Sequence, residues 1–359
     1  MVTAEAVIDL DAARNNYIRL RGMSKCGSVI AVIKGDAYGH GATEVAKALD
    51  MADTLAVSRI EEAIELREAG VEVPILLLEG CFCREDLVVA SSKGFQIVIH
   101  DRAQLEDYEA VQLDIPVATW LKIDTGMHRL GVQPNEVPDF VERITNSGNV
   151  SGPLNFVSHF SCADDRHSAV TGEQVEKFKS VVSQYNGQKS IANSAGILYW
   201  DSAHFDKVRA GIALYGISPG EEFTGSDYEL TPVMTLRSKL ISIREHQAGE
   251  PVGYGETWRA NQSTKIGVIA MGYGDGYPRL APVGTPVWVN GRVVPIVGRV
   301  SMDMITVDLG ADSYDSVGDR VEFWGEHLPI EQVATHIGTI PYELTIKLTK
   351  RVVKTFKGV

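Results

Sequence analysis

The chain has 359 residues, 44% of them hydrophobic and 23% charged, with a formal net charge of -13 at neutral pH. That length allows two domains with real cores, and the composition is neither fibrous nor that of a disordered chain. The acidic balance argues against a protein that tracks nucleic acid or an anionic membrane, since both demand clustered Lys and Arg.

The amino terminus, Met1-Val-Thr-Ala-Glu-Ala-Val-Ile-Asp-Leu10, lacks a basic start followed by an apolar core and cleavage site, and no apolar run is long enough to span a bilayer. A cytoplasmic protein is expected. Cys26, Cys81, Cys83 and Cys162 are too few and too scattered for a disulfide framework, and the C-x-C pair has no second pair to close a zinc site. No H-x-x-x-H or H-E-x-x-H spacing appears, so no metal is expected.

After a first strand and a helix signal over 11–21, apolar β-branched runs occur at 30–34, 54–58, 75–79, 95–100, 118–124, 154–160, 189–193 and 208–215. Amphipathic segments at 42–48, 59–69, 102–110 and 173–184 lie between several of them. Eight strands alternating with helices predict an α/β fold, an N-terminal (β/α)8 TIM-like barrel over 1–225, its strands apolar throughout because both faces are covered. The character changes near Pro219, and Gly220-Glu-Glu-Phe-Thr-Gly-Ser-Asp227 reads as a linker. Strand-like runs at 234–244, 264–271, 286–290, 292–297, 304–309 and 320–324, with one short helix near 330–336, predict a C-terminal mostly-β domain over 226–359. Asn290-Gly291 between two of these runs is a signal for a tight primed hairpin turn.

In Ala31-Val-Ile-Lys-Gly-Asp-Ala-Tyr-Gly-His-Gly41 an apolar strand runs out into a glycine-rich loop, leaving Lys34 at the carboxyl end where barrel enzymes keep their chemistry. Such a lysine either snorkels at the sheet edge or loses its proton and forms a Schiff base with a carbonyl cofactor. The other strand ends deliver His100, Lys122 with Asp124, His159, Asn193 with Ser194, and Arg209. One polar strand end is ordinary, but six together imply a site at that face. Ser194-Ala-Gly196 and Gly211-Ile212 follow the last two strands, where barrels bind phosphate through a hydroxyl and backbone N–H groups. A lysine for an aldehyde and a loop for a phosphate describe pyridoxal 5'-phosphate. An arginine such as Arg209 beside its pyridine nitrogen would keep that nitrogen unprotonated and restrain carbanion delocalisation.

These blocks, with Leu121-Lys-Ile-Asp-Thr-Gly-Met-His-Arg-Leu-Gly131, Val157-Ser-His-Phe160, Val208-Arg-Ala-Gly-Ile-Ala-Leu-Tyr-Gly216, Gly272-Tyr-Gly-Asp-Gly-Tyr-Pro-Arg279 and Gly298-Arg-Val-Ser-Met-Asp303, resemble in order those of the alanine racemase family. The resemblance implies a cytoplasmic homodimer with shared active sites that interconverts L- and D-alanine by a two-base mechanism, for peptidoglycan or alanine catabolism. It implies that Lys34 holds the cofactor and is the base on one substrate face, while Tyr273 from the partner chain is the base on the other. Tyr38, Ser194, Gly211, Ile212 and Tyr342 would hold the phosphate, and His159, Asn193 and Arg209 would complete the cofactor site. Arg129 and the Met302 N–H would meet the substrate carboxylate. Lys122 carries a carbamate in some family members, and Asp164 and Arg299 match residues lining the entrance. A racemase of serine, lysine or a broader set, a decarboxylase of the same architecture, and a non-catalytic cofactor carrier made of a lone barrel are the competing readings. The last would lack residues 226–359. Gly35-Asp36 replaces the family's usual Ala-Asn, and the Asp36 carboxylate is expected to favour protonated Lys34.

Overall fold

The computed structural model describes residues 3–358. They divide into two compact units: a barrel unit of Arg14–Ala37 and Ala42–Leu214, and a β-unit of residues 3–13, Tyr38–Gly41 and residues 215–358. Among the described residues no helix is long and apolar enough to cross a membrane.

The chain opens with strand β1 (Glu5–Asp9) and helix α1 (Leu10–Met23). The barrel strands are β2 (Val29–Val32), β3 (Thr54–Val57), β4 (Ile75–Leu77), β5 (Gln96–Ile99), β6 (Thr119–Lys122), β7 (Asn155–Val157), β8 (Lys189–Ser190) and β9 (Val208–Ala210). All the eight runs read from the sequence are present, paired in parallel in the order β8-β7-β6-β5-β4-β3-β2-β9. No ladder joins β8 to β9. Instead the Arg209 N–H donates to the Ala192 carbonyl at 2.9 Å and the Lys207 N–H to the Lys189 carbonyl at 3.1 Å, which closes the ring. The helices between strands are α2 (Lys34–Gly39), α3 (Ala42–Ala48), α4 (Ile60–Glu68), α5 (Arg84–Lys93), α6 (Arg102–Ala110), α7 (Val137–Asn146), α8 (Val170–Val182) and α9 (Ser194–Tyr199). Their buried faces cover the outer side of strands whose residues are almost all buried, so both sheet faces exclude water.

In the β-unit the long strand β10 (Met234–His246) is the organiser. It pairs with β1, with β13 (Thr264–Ile269) and with β17 (Arg320–Trp324), all antiparallel, after a two-stranded ribbon of β11 (Pro251–Val252) and β12 (Trp258–Arg259). The hairpin of β14 (Pro286–Val289) and β15 (Arg292–Pro295) joins β17, and β16 (Ile305–Asp308) joins β13. Asn290 at φ 46° and Gly291 at φ 84° make the primed turn that the sequence signalled. Helices α10 (Ile330–Ile337) and α11 (Pro341–Ile346) precede β18 (Val353–Lys357), which lies parallel to β1. The amino-terminal strand is thus an interior member of this sheet, between β10 and β18.

One local feature is unusual. Gly35, Asp36, Ala37, Tyr38 and Gly39 have φ of 61°, 55°, 54°, 53° and 84°, so α2 is a left-handed helical turn directly after Lys34. For the three residues that carry a Cβ this costs about 1–2 kcal/mol each. Compensation comes from Ala37 N–H to Ile33 carbonyl at 2.8 Å, Gly35 N–H to Glu62 Oε1 at 2.6 Å, and Ala42 N–H to Asp36 Oδ1 at 2.8 Å. A β-carbon at Gly39 would collide with the Thr345 carbonyl, and the Tyr38 ring packs on Tyr215 at 5.1 Å and Tyr342 at 5.7 Å. Strain of this kind is kept where neighbours over-determine the backbone.

The hand of the turn predicts an asymmetry. Ala63→Gly, at a fully buried position inside right-handed α4, should cost about 1 kcal/mol or more. Ala37→Gly, equally buried, should cost less or stabilise, because glycine has no penalty at positive φ. Urea midpoints of the two variants check this, and equal losses would contradict it.

Candidate active site

At the carboxyl ends of the barrel strands the charges of Lys34, Lys122, Arg129 and Arg209 act on one another. Burial brings the Lys34 amine below the usual lysine range; Glu79 opposes this, Arg129 adds to it, Glu62 opposes it and Arg209 adds to it. Lys122 is brought down to about 8 by burial, with Arg209, Arg129 and Lys34 contributing and Glu79 opposing. Its ammonium has no hydrogen-bond acceptor among the described residues. Glu79 was not singled out in the sequence, although it ends a strand as the other site residues do. Gly80, at φ 73°, turns the chain where a β-carbon would strike the Val98 carbonyl. Gln104 then pins the loop, its Nε2 donating to the carbonyls of Glu79 at 2.9 Å and Cys81 at 3.0 Å while its Oε1 accepts from His100 N–H at 2.9 Å. His100 itself is buried with an unpartnered Nε2, and burial holds its pKa down.

Arg209 is 4% exposed and committed on three sides. It donates to Ser190 Oγ at 2.8 Å, to the carbonyls of Ser158 at 2.6 Å and Ile191 at 3.2 Å, and lies 3.2 Å from His159 Nδ1. No acceptor among the described residues takes its Nε–H. Burial lowers Arg209 to about 10, which leaves it cationic at neutral pH. His159 is pushed well below its ordinary range by burial, with Arg209, Lys122, Arg129 and Lys34 adding to the effect. It is therefore neutral, with Nδ1 accepting from Arg209 and Nε2 carrying the proton.

Ser194, also buried, accepts from Gly211 N–H at 2.9 Å and from Ala213 N–H at 3.2 Å through Oγ, so its own proton remains to donate. This places Ser194 against the Gly211-Ile212 segment as the sequence suggested. Asn193 caps α9, its Oδ1 accepting from Gly196 N–H at 2.9 Å.

Asp124 stands apart from the chemistry. Burial alone would raise it, but N–H groups of His128 and Gly126, the His128 ring and Gln133 bring the carboxyl down to about 2. Those bonds, at 3.0, 3.0, 2.8 and 3.2 Å, fold the loop that presents Arg129. His128 takes φ 54° there, and a β-carbon on Gly131 would crowd Asp124 N at 2.7 Å. The Asp36 carboxylate accepts from Ala42 N–H, and Glu79 and Glu62 are among the charges that oppose the loss of the Lys34 proton. Glu62 lies in the first turn of α4, where it accepts from the N–H groups of Ser58 and Arg59.

Tyr38 and Tyr342 meet within the β-unit, and burial raises the Tyr38 phenol to about 12. Tyr273 and Met302 are brought together there too. Tyr273 N–H donates to the Ser301 carbonyl at 3.0 Å and Gly274 N–H to the Met302 carbonyl at 2.8 Å. The two residues are 37% and 52% exposed. Arg299 and, in the barrel unit, Asp164 are exposed.

The chain matches the family models for the N-terminal domain of alanine racemase over residues 8–219 and for its C-terminal domain over residues 233–356. It is 52% identical to the alanine racemase of Vibrio parahaemolyticus, covering 98% of both chains, and 51% identical to that of Vibrio cholerae, covering 100% of this chain and 99% of the other. Its structure is similar to the crystal structure of the biosynthetic alanine racemase of Pseudomonas aeruginosa, with a TM-score of 0.96, 44% identity and full coverage of both. It is also similar to the alanine racemase of Bartonella henselae solved with covalently bound pyridoxal phosphate, with a TM-score of 0.89, 33% identity, and coverage of 99% and 100%. With both family models matched and relatives aligned end to end, this chain belongs to the alanine racemase family.

Proposed function

We propose that this protein interconverts L- and D-alanine as a homodimer with pyridoxal 5'-phosphate bound at Lys34, supplying D-alanine for peptidoglycan or serving alanine catabolism. The observation that carries the reading is the half-buried Lys34 amine, whose burial favours the neutral form, set among the charges of Lys122, Arg129 and Arg209. Such a cluster fits an anionic aldehyde: an amine whose loss of a proton is favoured for the carbonyl, a serine hydroxyl for a phosphate, and a buried guanidinium for a ring nitrogen. When bound, the cofactor withdraws electrons from the substrate Cα so that its hydrogen is lost as a proton.

The residues then have distinct tasks. Lys34 holds the cofactor and exchanges a proton at one face of Cα. Tyr273 of the partner subunit does so at the opposite face, since inversion without rotating the substrate needs a group on each side. Ser194, which the Gly211 N–H orients, with the Ile212 N–H, Tyr38 and Tyr342 would hold the phosphate, and Asn193 would fix the start of α9. Arg209 would present its Nε–H to the ring nitrogen, and because it keeps its proton the ring would stay a moderate electron sink. His159 would continue the hydrogen-bonded line from Arg209 towards Tyr273. Arg129 and the Met302 N–H would orient the carboxylate, with Asp164 and Arg299 at the entrance. The exposure of Tyr273 and Met302 supports their use by a second copy of the chain.

Lys122 would carry a carbamate. A lysine near pH 8 is partly neutral under physiological conditions, and its conversion from cation to anion would relieve repulsion with Arg129, Arg209 and Lys34.

Chiral chromatography after incubation of the holoenzyme with single L-amino acids should find D-alanine formed fastest; a faster product from serine or lysine would redirect the reading. Mixing inactive Lys34→Ala chains with inactive Tyr273→Phe chains should restore partial activity through hybrid dimers. No recovery despite subunit exchange would remove Tyr273 from the partner's site. With 13C-bicarbonate, wild type should show a carbamate NMR signal that weakens as the pH falls below about 8, where the amine becomes protonated. Lys122→Met should lack it, and a signal unchanged in that variant would refute the assignment.

A further inference from the structure

The Gly272-Tyr-Gly-Asp-Gly-Tyr277 stretch alternates glycines with functional or buried residues, and neighbouring backbone forbids a β-carbon at Gly272 and Gly276, while one at Gly274 would displace the Arg351 guanidinium. At Gly272 it would strike the carbonyls of Met302 and Ser301, at Gly274 the Arg351 guanidinium and at Gly276 the Lys347 carbonyl. Tyr277 is buried, its ring 4.9 Å from Phe323 and 6.2 Å from Trp324. The turn is therefore seated on two neighbouring segments, 301–302 and 347–351.

Arg351 ties these segments together. Its Nε lies 3.1 Å from Asp275 Oδ1 and its Nη2 2.7 Å from Asp303 Oδ1. Asp275 is buried, and its Oδ2 accepts from Gly272 N–H at 2.9 Å. Thr349 adds its hydroxyl to the Gly274 carbonyl at 2.9 Å and its N–H to the Asp275 carbonyl at 3.0 Å. Peptide planarity carries this order further. The Ser301 carbonyl that accepts from Tyr273 N–H belongs to the same rigid plane as the Met302 N–H, which points the opposite way and has no acceptor among the described residues. The backbone of Tyr273 thus sets the direction in which the Met302 N–H is offered.

We infer that Arg351, through Asp275 and Asp303, is a positioning residue that fixes Tyr273 and the Met302 N–H as one unit for the amino-acid substrate. This rests on the proposed roles of those two residues. Arg351 and Asp303 are half-exposed and that pair adds little to global stability, while the buried Asp275 keeps the Gly272 N–H as a partner when Arg351 is removed, so the clasp acts mainly on geometry. A bidentate guanidinium spans two carboxylates where an ammonium reaches one.

Arg351→Met should keep the wild-type melting temperature to within a few degrees while amide hydrogen exchange in 272–276 and 301–304 speeds up. With cofactor and alanine, kcat should fall and KM rise, lowering kcat/KM by roughly 10–100-fold, the scale on which ångström displacements act. Both directions must fall equally, because the two enantiomers have the same free energy. The distinctive reading is the α-deuterium isotope effect, which should rise for the enantiomer whose hydrogen faces Tyr273 and shrink for the other. Arg351→Lys should fall between, and it stands in if the Met variant does not fold. Isotope effects and exchange equal to wild type would overturn the clasp. Tyr273→Phe separates the two claims: normal turnover in that variant sinks the reading of Tyr273, whereas a dead Tyr273→Phe beside an unaltered Arg351→Met sinks only the role of Arg351.

Discussion

An excess of positive charge governs the barrel mouth, where Arg209 is buried, Lys34 and Lys122 are half-buried and Arg129 is exposed. Lys34, Lys122, Arg129 and Arg209 influence one another there, with Glu79 and Glu62 the carboxylates that oppose the loss of Lys34's proton. Burial and mutual repulsion favour neutral amines, so Lys34 is prepared as a nucleophile without a dedicated base. Arg209 escapes that fate because its ordinary pKa is so high that burial still leaves it charged. The result is a lysine able to lose its proton next to an arginine that retains it. The same field keeps His159 neutral, which fixes it as an acceptor from Arg209 and a donor beyond it.

The backbone serves this field in two ways. The left-handed turn directly follows Lys34 at the strand end, and the Tyr38 ring packs on Tyr215 and Tyr342 within the β-unit. The glycine-alternating turn brings Tyr273 and Met302 into one hydrogen-bonded assembly. In the proposed two-base reading each face of the substrate has its own group, with the strained turn directly after Lys34 and the inferred clasp at Arg351 beside Tyr273.

Most of the architecture is legible in the sequence because buried parallel strands are apolar runs and their ends are polar. The eight barrel strands and the β-unit strands from 234 to 324 follow from that contrast. Helix α5 does not, because Leu87-Val-Val-Ala90 is a contiguous apolar run with no helical period. Strand β18 and the partners of β1 are hidden for another reason: their pairing joins the two ends of the chain, and no local pattern records that. In the site, Lys34, Lys122, His159 and Arg209 are visible as polar strand ends, whereas Glu79 and Glu62 look like an ordinary strand end and an ordinary helix cap. The hand of the turn after Lys34 is equally hidden, since Ala37 and Tyr38 have no intrinsic preference for positive φ.

The central claim is that two different groups serve the two faces of Cα. Racemisation of L-alanine in deuterium oxide, followed from the first turnovers by mass spectrometry of the separated enantiomers, tests it most directly. Two groups, each exchanging with solvent, predict that the first D-alanine formed carries α-deuterium while unreacted L-alanine retains its protium. First-formed D-alanine that still holds the original hydrogen would mean that one group carried it from face to face, and the account would be wrong.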